Sequence, residues 1–581
     1  MNTHSSLSAS PALPDLLFAA LVTVGVLLNA VGLFSLVMEP DGALYATIAK
    51  TIAESGDFVN LMVEDRDWLD KPHFPFWMAA LSYLVFGVNS FAYKLPALLF
   101  FLVAVWYTYR FARLYYSQLV AQIATLIMLT ALHLVISNND VRAEPYLTAQ
   151  VIGAAFHFTR LYRLSSRQPE GAKNWPDLVW GSFWTGLALM TKGPFVLVPI
   201  GAGLVIHFAL TGNWREFLKL RWYAAILLSV VFCLPELYTL YAQFDLHPEK
   251  VVFGKTGNSG LRFFLWDSQF GRFFNTGPIK GSGEKTFFLH TTLWAFAPWS
   301  LLLYAALGRA IVWTAQKRTY LPEFVSLGSG LSTFLLFSLS GFQLPHYLNI
   351  VFPFYAVLTA HFLTTLRTQQ SRRAWLLTQR LVFVLLLALV GGVIWFFRPE
   401  PLWGAVSWVT LATGVMVVVA RAVRRPGRWI PALMGTTVGA SVLALGFYNL
   451  FLYPNLMPYQ AGGEAAFYIN NRPDKPRLVG QYGLNHYSFE LYLKQRAYFW
   501  RTKVELTQAA QKEPVWILTH PAELDTLRRE GWTVTPLDTF QFFHVTKLTG
   551  PFLDYRTRAG ATEMNVLAKV HLPSAQADSN E

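Results

Sequence analysis

Long apolar runs alternate with short polar connections along most of this chain. The first run, Leu16 to Val37, has about the length needed to cross a bilayer and stops on Glu39-Pro40-Asp41. Read the same way, the runs suggest about thirteen membrane spans. They fall at 14–37, 95–114, 118–137, 145–162, 178–191, 194–211, 222–241, 287–309, 322–340, 346–366, 380–397, 403–421 and 430–452. A shorter apolar piece, Phe76–Phe86, ends on Gly87-Val88-Asn89 and reads as interfacial or re-entrant. After Tyr453 the pattern changes. Alternating runs at 477–481, 515–519 and 532–535 predict strands, and helical patterns at Tyr487–Lys494 and Pro521–Glu530 fall between them. The expected fold is a polytopic α-helical membrane protein with a small C-terminal soluble α/β domain. The transmembrane domain covers 1–452, with outer loops 38–94 and 241–286, and the soluble domain covers 453–581. The last dozen residues read as disordered.

Charge orients this pattern. Alternate connections are basic: Arg110 and Arg113; Arg160, Arg163, Arg167 and Lys173; Arg215, Lys219 and Arg221; Arg309, Lys317 and Arg318; Arg367, Arg372, Arg373 and Arg380; Arg421, Arg424, Arg425 and Arg428. The positive-inside rule places them in the cytoplasm, which puts the N-terminus inside and the C-terminal domain in the periplasm of a bacterial inner membrane. The net charge of +13 follows the spans rather than clustering, so nucleic acid is not an expected partner. Composition agrees: 54% of residues are hydrophobic and 14% charged, where a soluble protein carries about a quarter charged. The single cysteine, Cys233, excludes an intrachain disulfide framework. Residues 1–13 lack Lys and Arg and no cleavage site follows, so the first run reads as a retained span.

Ionisable residues at a bilayer boundary are costly to keep there and mark functional sites. The loop after the first run carries Asp41, a short amphipathic helix at Tyr45–Glu54, and Asp70-Lys71-Pro72-His73. Asp41 suits a general base or a metal ligand, and Lys71 suits a phosphate. Glu39 reads as a helix-end or interfacial carboxylate. Asp140, Arg142 and Glu144, between two apolar runs on the same side, either complete that site or form a polar turn with its own ion pair. Lys192 is the sole charge in Thr191-Lys192-Gly193-Pro194 and would meet a lipid phosphate, a backbone carbonyl or the interface. Arg272 stands among aromatics in 263–274, which suits a phosphate head with an apolar tail, or an interfacial helix. His346 reads as a polar cap or a ligand. No P-loop, HExxH, CxxC or GxGxxG stands in a convincing context, and nothing supports ATP hydrolysis.

These segments, in this order, resemble the polyprenyl-phosphate-dependent membrane glycosyltransferases of the C superfamily. The resemblance covers about 14–455 and is similar to the bacterial lipid A aminoarabinose transferases and the protein O-mannosyltransferase-like proteins. It rests on Asp41 before Tyr45-Ala46, Lys71-Pro72 leading into Phe76-Trp77, Glu144-Pro145, Thr191-Lys192-Gly193-Pro194, Trp266 with Gly271-Arg272-Phe273, Pro298-Trp299, and Leu344-Pro345-His346-Tyr347. The resemblance implies transfer of a sugar from a polyprenyl-phosphate donor to an envelope acceptor, a lipid, glycan or protein, among membrane lipids. It implies Asp41 as the essential aspartate, with Glu144 beside it, and Lys71 and Arg272, joined by Lys192, on the donor phosphate. It implies no certain cofactor, with a divalent metal as the candidate, at Asp70 and Asp267. Gly42 follows Asp41 where relatives often have Glu, Glu144 stands where Asp is usual, and Asp267 and Gln269 stand where relatives often carry His. The rival expectation is a transporter or flippase of envelope lipids. It fits less well, because the charges gather in outer loops and no internal repeat is evident.

Overall fold

The structure, a computed structural model, describes residues 12–165, 174–318, 320–422, 429–474 and 476–572. Arg167, Lys173, Arg424, Arg425 and Arg428, and nearly all of the last dozen residues, lie outside them.

The N-terminal four-fifths is helical. Its first ten α-helices are α1 (Asp15–Ala30), α2 (Asp41–Ser55), α3 (Phe74–Phe86), α4 (Ser90–Tyr115), α5 (Gln118–Thr130), α6 (Leu132–Asn139), α7 (Glu144–Ser165), α8 (Trp175–Lys192), α9 (Gly203–Leu210) and α10 (Leu220–Leu240). Among the described residues six helical stretches are long and apolar enough to cross a membrane: Asp15–Phe34, Ser90–Tyr115, Leu220–Asp245, Pro345–Thr364, Gln369–Phe397 and Trp429–Tyr459. The bent pair α5 and α6, broken by 49°, makes a seventh if counted as one span. Other runs of the sequence reading form shorter helices; 287–309, for example, breaks at 296–299 into Phe287–Ala295 and Ser300–Ala315. Phe76–Phe86 is a helix of 13 residues, too short to span. The chain is a multi-pass membrane protein, and one surface shows why it needs a bilayer. Gln369–Phe397 leaves Leu377, Leu381, Val384, Leu385 and Leu389 exposed, and each would cost about 25 cal/mol per Å² in water.

Helix α2 begins four residues before the expected Tyr45, at Asp41, and ends on Gly56 in the left-handed region (φ 71°). A carboxylate in the first turn of a helix meets the positive end of its dipole. Beyond α2 a two-stranded ribbon, β1 (Met62–Val63) and β2 (Arg66–Asp67), leads back to Asp70.

The C-terminal residues form a five-stranded mixed sheet in the order β4-β3-β5-β7-β6, with β3 at Val479–Tyr482, β4 at Tyr498–Trp500, β5 at Val515–Thr519, β6 at Thr533–Phe542 and β7 at Glu563–His571. β3 runs parallel to β4 and β5, while β7 is antiparallel to β5 and β6. Every residue of β5 is buried, as a strand covered on both faces requires, and this is why its sequence is an unbroken apolar run. Helices Ala461–Asn470, Tyr487–Tyr492, Lys503–Ala510 and Pro521–Arg529 accompany it. Tyr487–Tyr492 packs against α2 and so joins the sheet to the first outer loop.

Candidate active site

The site is assembled where helix ends and their connections meet. Buried Lys94 of α4 donates to the carbonyls of Gly32 (3.0 Å) and Ser35 (2.8 Å), satisfying acceptors that the end of the first span leaves free. The chain then turns into α2 and presents Asp41. Arg142 binds Asp41 Oδ2 at 2.6 Å and Asp140 Oδ2 at 3.0 Å, so the 138–145 turn and the first loop share one ion network. Gly42 fits this arrangement: a Cβ there would lie 2.9 Å from Asp140 Oδ1.

Glu144 opens α7 and is buried. Its Oε1 accepts from Lys192 Nζ at 2.5 Å and lies 3.7 Å from His346 Nε2, while its Oε2 is buried without a partner. Lys192 ends α8, and Gly193 (φ 88°) turns the chain behind it. Gln269 locks that turn: Phe195 N–H donates to its Oε1 at 3.2 Å and its Nε2 donates to the Lys192 carbonyl at 3.4 Å. Gln269 lies on the π-helical segment Phe263–Gly271, which also delivers Arg272. Arg272 binds Asp70 and stands 5.5 Å from the Phe342 ring, and Lys192 Nζ stands 4.7 Å from the Tyr347 ring.

Asp70 therefore lies between two cations, Lys71 and Arg272, each bonded to one of its oxygens. Burial pushes its pKa up, but those charges outweigh burial and hold it below the usual carboxylate range. Burial lowers the Lys71 pKa to about 8; Asp70 opposes the shift, and Arg272 and Lys192 add to it. Residue 73 anchors this loop from behind. His73 N–H donates to Glu236 Oε2 at 3.0 Å, and its Nδ1 lies 3.1 Å from Oε1, both side chains fully buried.

Lys71, Lys192 and Arg272 face a cavity of about 360 Å³ whose walls are otherwise mostly apolar, including Phe195, Phe270, Leu336 and Phe337. Tyr45 lies close enough to feel the charges of Asp41, Asp70 and Glu144. Burial raises its pKa, and those three charges add to the effect.

The metal reading of the sequence needs correction. Both oxygens of Asp70 are held by cations, and Asp267 pairs with exposed Arg262 at 3.7 Å away from the cavity lining. Among the described residues no group of three or more His, Cys, Asp or Glu could hold a metal ion. The residues present do not fit a divalent site. Glu39 is more than an interfacial carboxylate: it is buried and bound to residues near 486 of the C-terminal sheet. The sequence assigned no role to Gln269, Phe342 or Tyr347. Only their proximity to Lys192 and Arg272 singles them out.

A family model described as dolichyl-phosphate-mannose-protein mannosyltransferase matches residues 70–238, beginning on Asp70. Similar proteins include the undecaprenyl phosphate-alpha-4-amino-4-deoxy-L-arabinose arabinosyl transferases of Enterobacter sp. (23% identical over 337 residues, 57% of this chain) and Pseudomonas aeruginosa (27% over 335 residues, 56% of this chain). These alignments span 56% and 57% of the relatives' own lengths. In fold, the chain superimposes on ArnT from Cupriavidus metallidurans bound to undecaprenyl phosphate with a TM-score of 0.70 at 20% identity, covering 95% of this chain and 97% of that one. It matches the archaeal oligosaccharyltransferase AglB from Archaeoglobus fulgidus more distantly, with a TM-score of 0.50 at 12% identity and 87% and 69% coverage. The chain is thus similar, in fold and in sequence, to the polyprenyl-phosphate glycosyltransferases of the C superfamily.

Proposed function

We propose that this protein is an integral membrane glycosyltransferase that moves a sugar from a polyprenyl-phosphate donor to an envelope acceptor on the outer face of the bacterial inner membrane. The observation that carries the reading is the cavity in which Lys71, Lys192 and Arg272 converge beside apolar walls. Three cations match a phosphate, and the apolar walls match the prenyl chain that bears it. The names of the similar arabinosyl transferases and the undecaprenyl phosphate of the fold relative support this donor class. A transporter finds no such support.

In this reading an acceptor hydroxyl attacks the anomeric carbon, the bond from that carbon to the donor phosphate oxygen breaks, and polyprenyl phosphate leaves. Lys71 and Arg272 stabilise the charge that develops on the leaving phosphate. Asp41 takes the hydroxyl proton. Its side chain is 39% exposed against 2% for Glu144, so an acceptor can reach Asp41 and not Glu144. Arg142 holds one Asp41 oxygen and fixes its direction. Glu144 acts through Lys192, which it orients towards the cavity. A single direct displacement of this kind inverts the anomeric carbon. The molecule has about thirteen passes, a cytoplasmic N-terminus and a periplasmic α/β domain over 453–581.

Asp41→Asn tests the reading. The amide keeps the shape and an oxygen that can accept from Arg142 but loses basicity, so transfer falls about a hundredfold or more, as loss of a general base does. The assay follows labelled 4-amino-4-deoxy-L-arabinose or mannose from undecaprenyl phosphate to extracted envelope lipid or protein. Near-parental transfer by Asp41→Asn removes Asp41 from the chemistry.

A further inference from the structure

The first outer loop is fastened to the C-terminal sheet by buried, directional bonds. Ser488 N–H donates to Glu39 Oε1 at 2.7 Å, and His486 Nδ1 lies 3.4 Å from Glu39 Oε2. The turn carrying them is itself held: His486 N–H donates to Gln481 Oε1 at 2.8 Å, Gln481 Nε2 donates to the His486 carbonyl at 3.0 Å, and His486 Nε2 lies 2.9 Å from Asn565 Oδ1. Further along α2, Lys50 Nζ donates to the carbonyls of Glu490 (2.7 Å) and Leu493 (2.8 Å), where the short helix Tyr487–Tyr492 ends. Thr47 Oγ1 donates to the Tyr487 carbonyl at 3.1 Å between them.

Apolar packing alone would dock one element on another. Burying a carboxylate and an ammonium costs free energy unless partners meet them, and the partners then fix position to within hydrogen-bond tolerance. The bonds grip α2 just ahead of its first residue, Asp41, and in its later turns. We infer that Glu39, Lys50 and His486 are positioning residues, through which the C-terminal sheet sets the place of Asp41 relative to the donor cavity. This rests on the glycosyltransferase reading and assigns the C-terminal residues a part in it.

The test compares the full-length parent with Glu39→Ala, Lys50→Met, His486→Leu and the conservative Glu39→Gln. Arg528→Ala, in an exposed pair with Asp525, serves as the control. Three quantities are measured: undecaprenyl phosphate binding, single-turnover transfer, and amide hydrogen exchange of residues 41–55. The three disruptive variants should transfer about ten- to a hundredfold more slowly, the scale of a displacement of about 1 Å in a catalytic group. Their undecaprenyl phosphate affinity should stay within about twofold of the parent, because they leave Lys71 and Arg272 alone; α2 should exchange faster while α4 and α7 do not. Glu39→Gln, whose amide oxygen still accepts from Ser488, should recover most of the loss. Unchanged transfer with unchanged exchange overturns the inference, and so does a donor affinity that falls in step with transfer. If the parent moves neither labelled sugar, the glycosyltransferase reading fails instead. The exchange of α2 then decides the clamp alone, faster exchange supporting it and parental exchange overturning it.

Discussion

Burial changes the chemistry of Lys71. A lysine with its pKa lowered to about 8 carries its charge below that pH and loses it above. Undecaprenyl phosphate affinity should therefore weaken as pH rises above about 8. Lys71→Arg should abolish that limb, since a guanidinium does not titrate there. A binding titration across pH checks this, and identical profiles would detach Lys71 from the phosphate. Lys71→Ala and Arg272→Ala should each weaken binding by about tenfold or more, because a hydrogen bond to a charged group contributes about 1.5–3 kcal/mol. Each also removes a partner from partly buried Asp70, so both are repeated with Asp70→Asn. A loss that vanishes in that background belongs to Asp70 and not to the donor.

Two elements decide how the charges are presented. The turn after α8 depends on Gly193, whose φ of 88° with ψ of −171° lies where side chains are strained. A Cβ there would also come 2.5 Å from Gln269 Nε2. Gly193→Ala should cost about 1–3 kcal/mol and disturb Lys192, lowering both the thermal midpoint and undecaprenyl phosphate affinity. A parental midpoint and affinity would show that the turn adapts. The second element is the contact of α2 with the C-terminal sheet. Burial opposes charge on both members, yet Glu39 and His486 outweigh it in each other: the carboxyl is held low and the imidazole high. Glu563 also raises His486, and Glu64 lies near enough to interact with it. The histidine contribution is fully present below its ordinary pKa and is lost as pH rises through the raised one. The glutamate contribution is present above its ordinary pKa and is lost as pH falls through the lowered one. The protection factor of α2 against hydrogen exchange should therefore be highest in the mildly acidic window between and fall above it. A pH-independent protection factor would show that the pair does not hold α2.

At the scale of the molecule, the candidate site gathers where helix ends meet, while the exposed apolar flanks require a bilayer. If the basic connections are cytoplasmic, residues 453–581 are periplasmic, and a reporter active only in the periplasm should work when fused after Asn455. Activity of a cytoplasmic reporter alone would reverse the orientation and move the site to the other face.

How much of this was legible in the sequence follows from the range of the forces involved. Hydropathy is local, so the membrane class, the first outer loop and the strands near 479 and 515 could be read directly. Boundaries were less certain. Whether an apolar run forms one helix or two depends on neighbours, as 118–139 shows by bending 49°. The charged residues of the site were also recognisable one by one, because each is costly at a membrane boundary and stands out against apolar runs. Their partners were not. Arg272 meets Asp70 across 202 positions and Lys192 meets Glu144 across 48, and no periodicity encodes such pairings. Only the tertiary structure decided that Asp70 is neutralised by cations rather than free for a metal, that Glu144 is turned inward on Lys192, and that Asp41, itself paired with Arg142, keeps the most exposed side chain of the three. Residue type determined which groups carry charge; packing determined which charges pair, and with which partners.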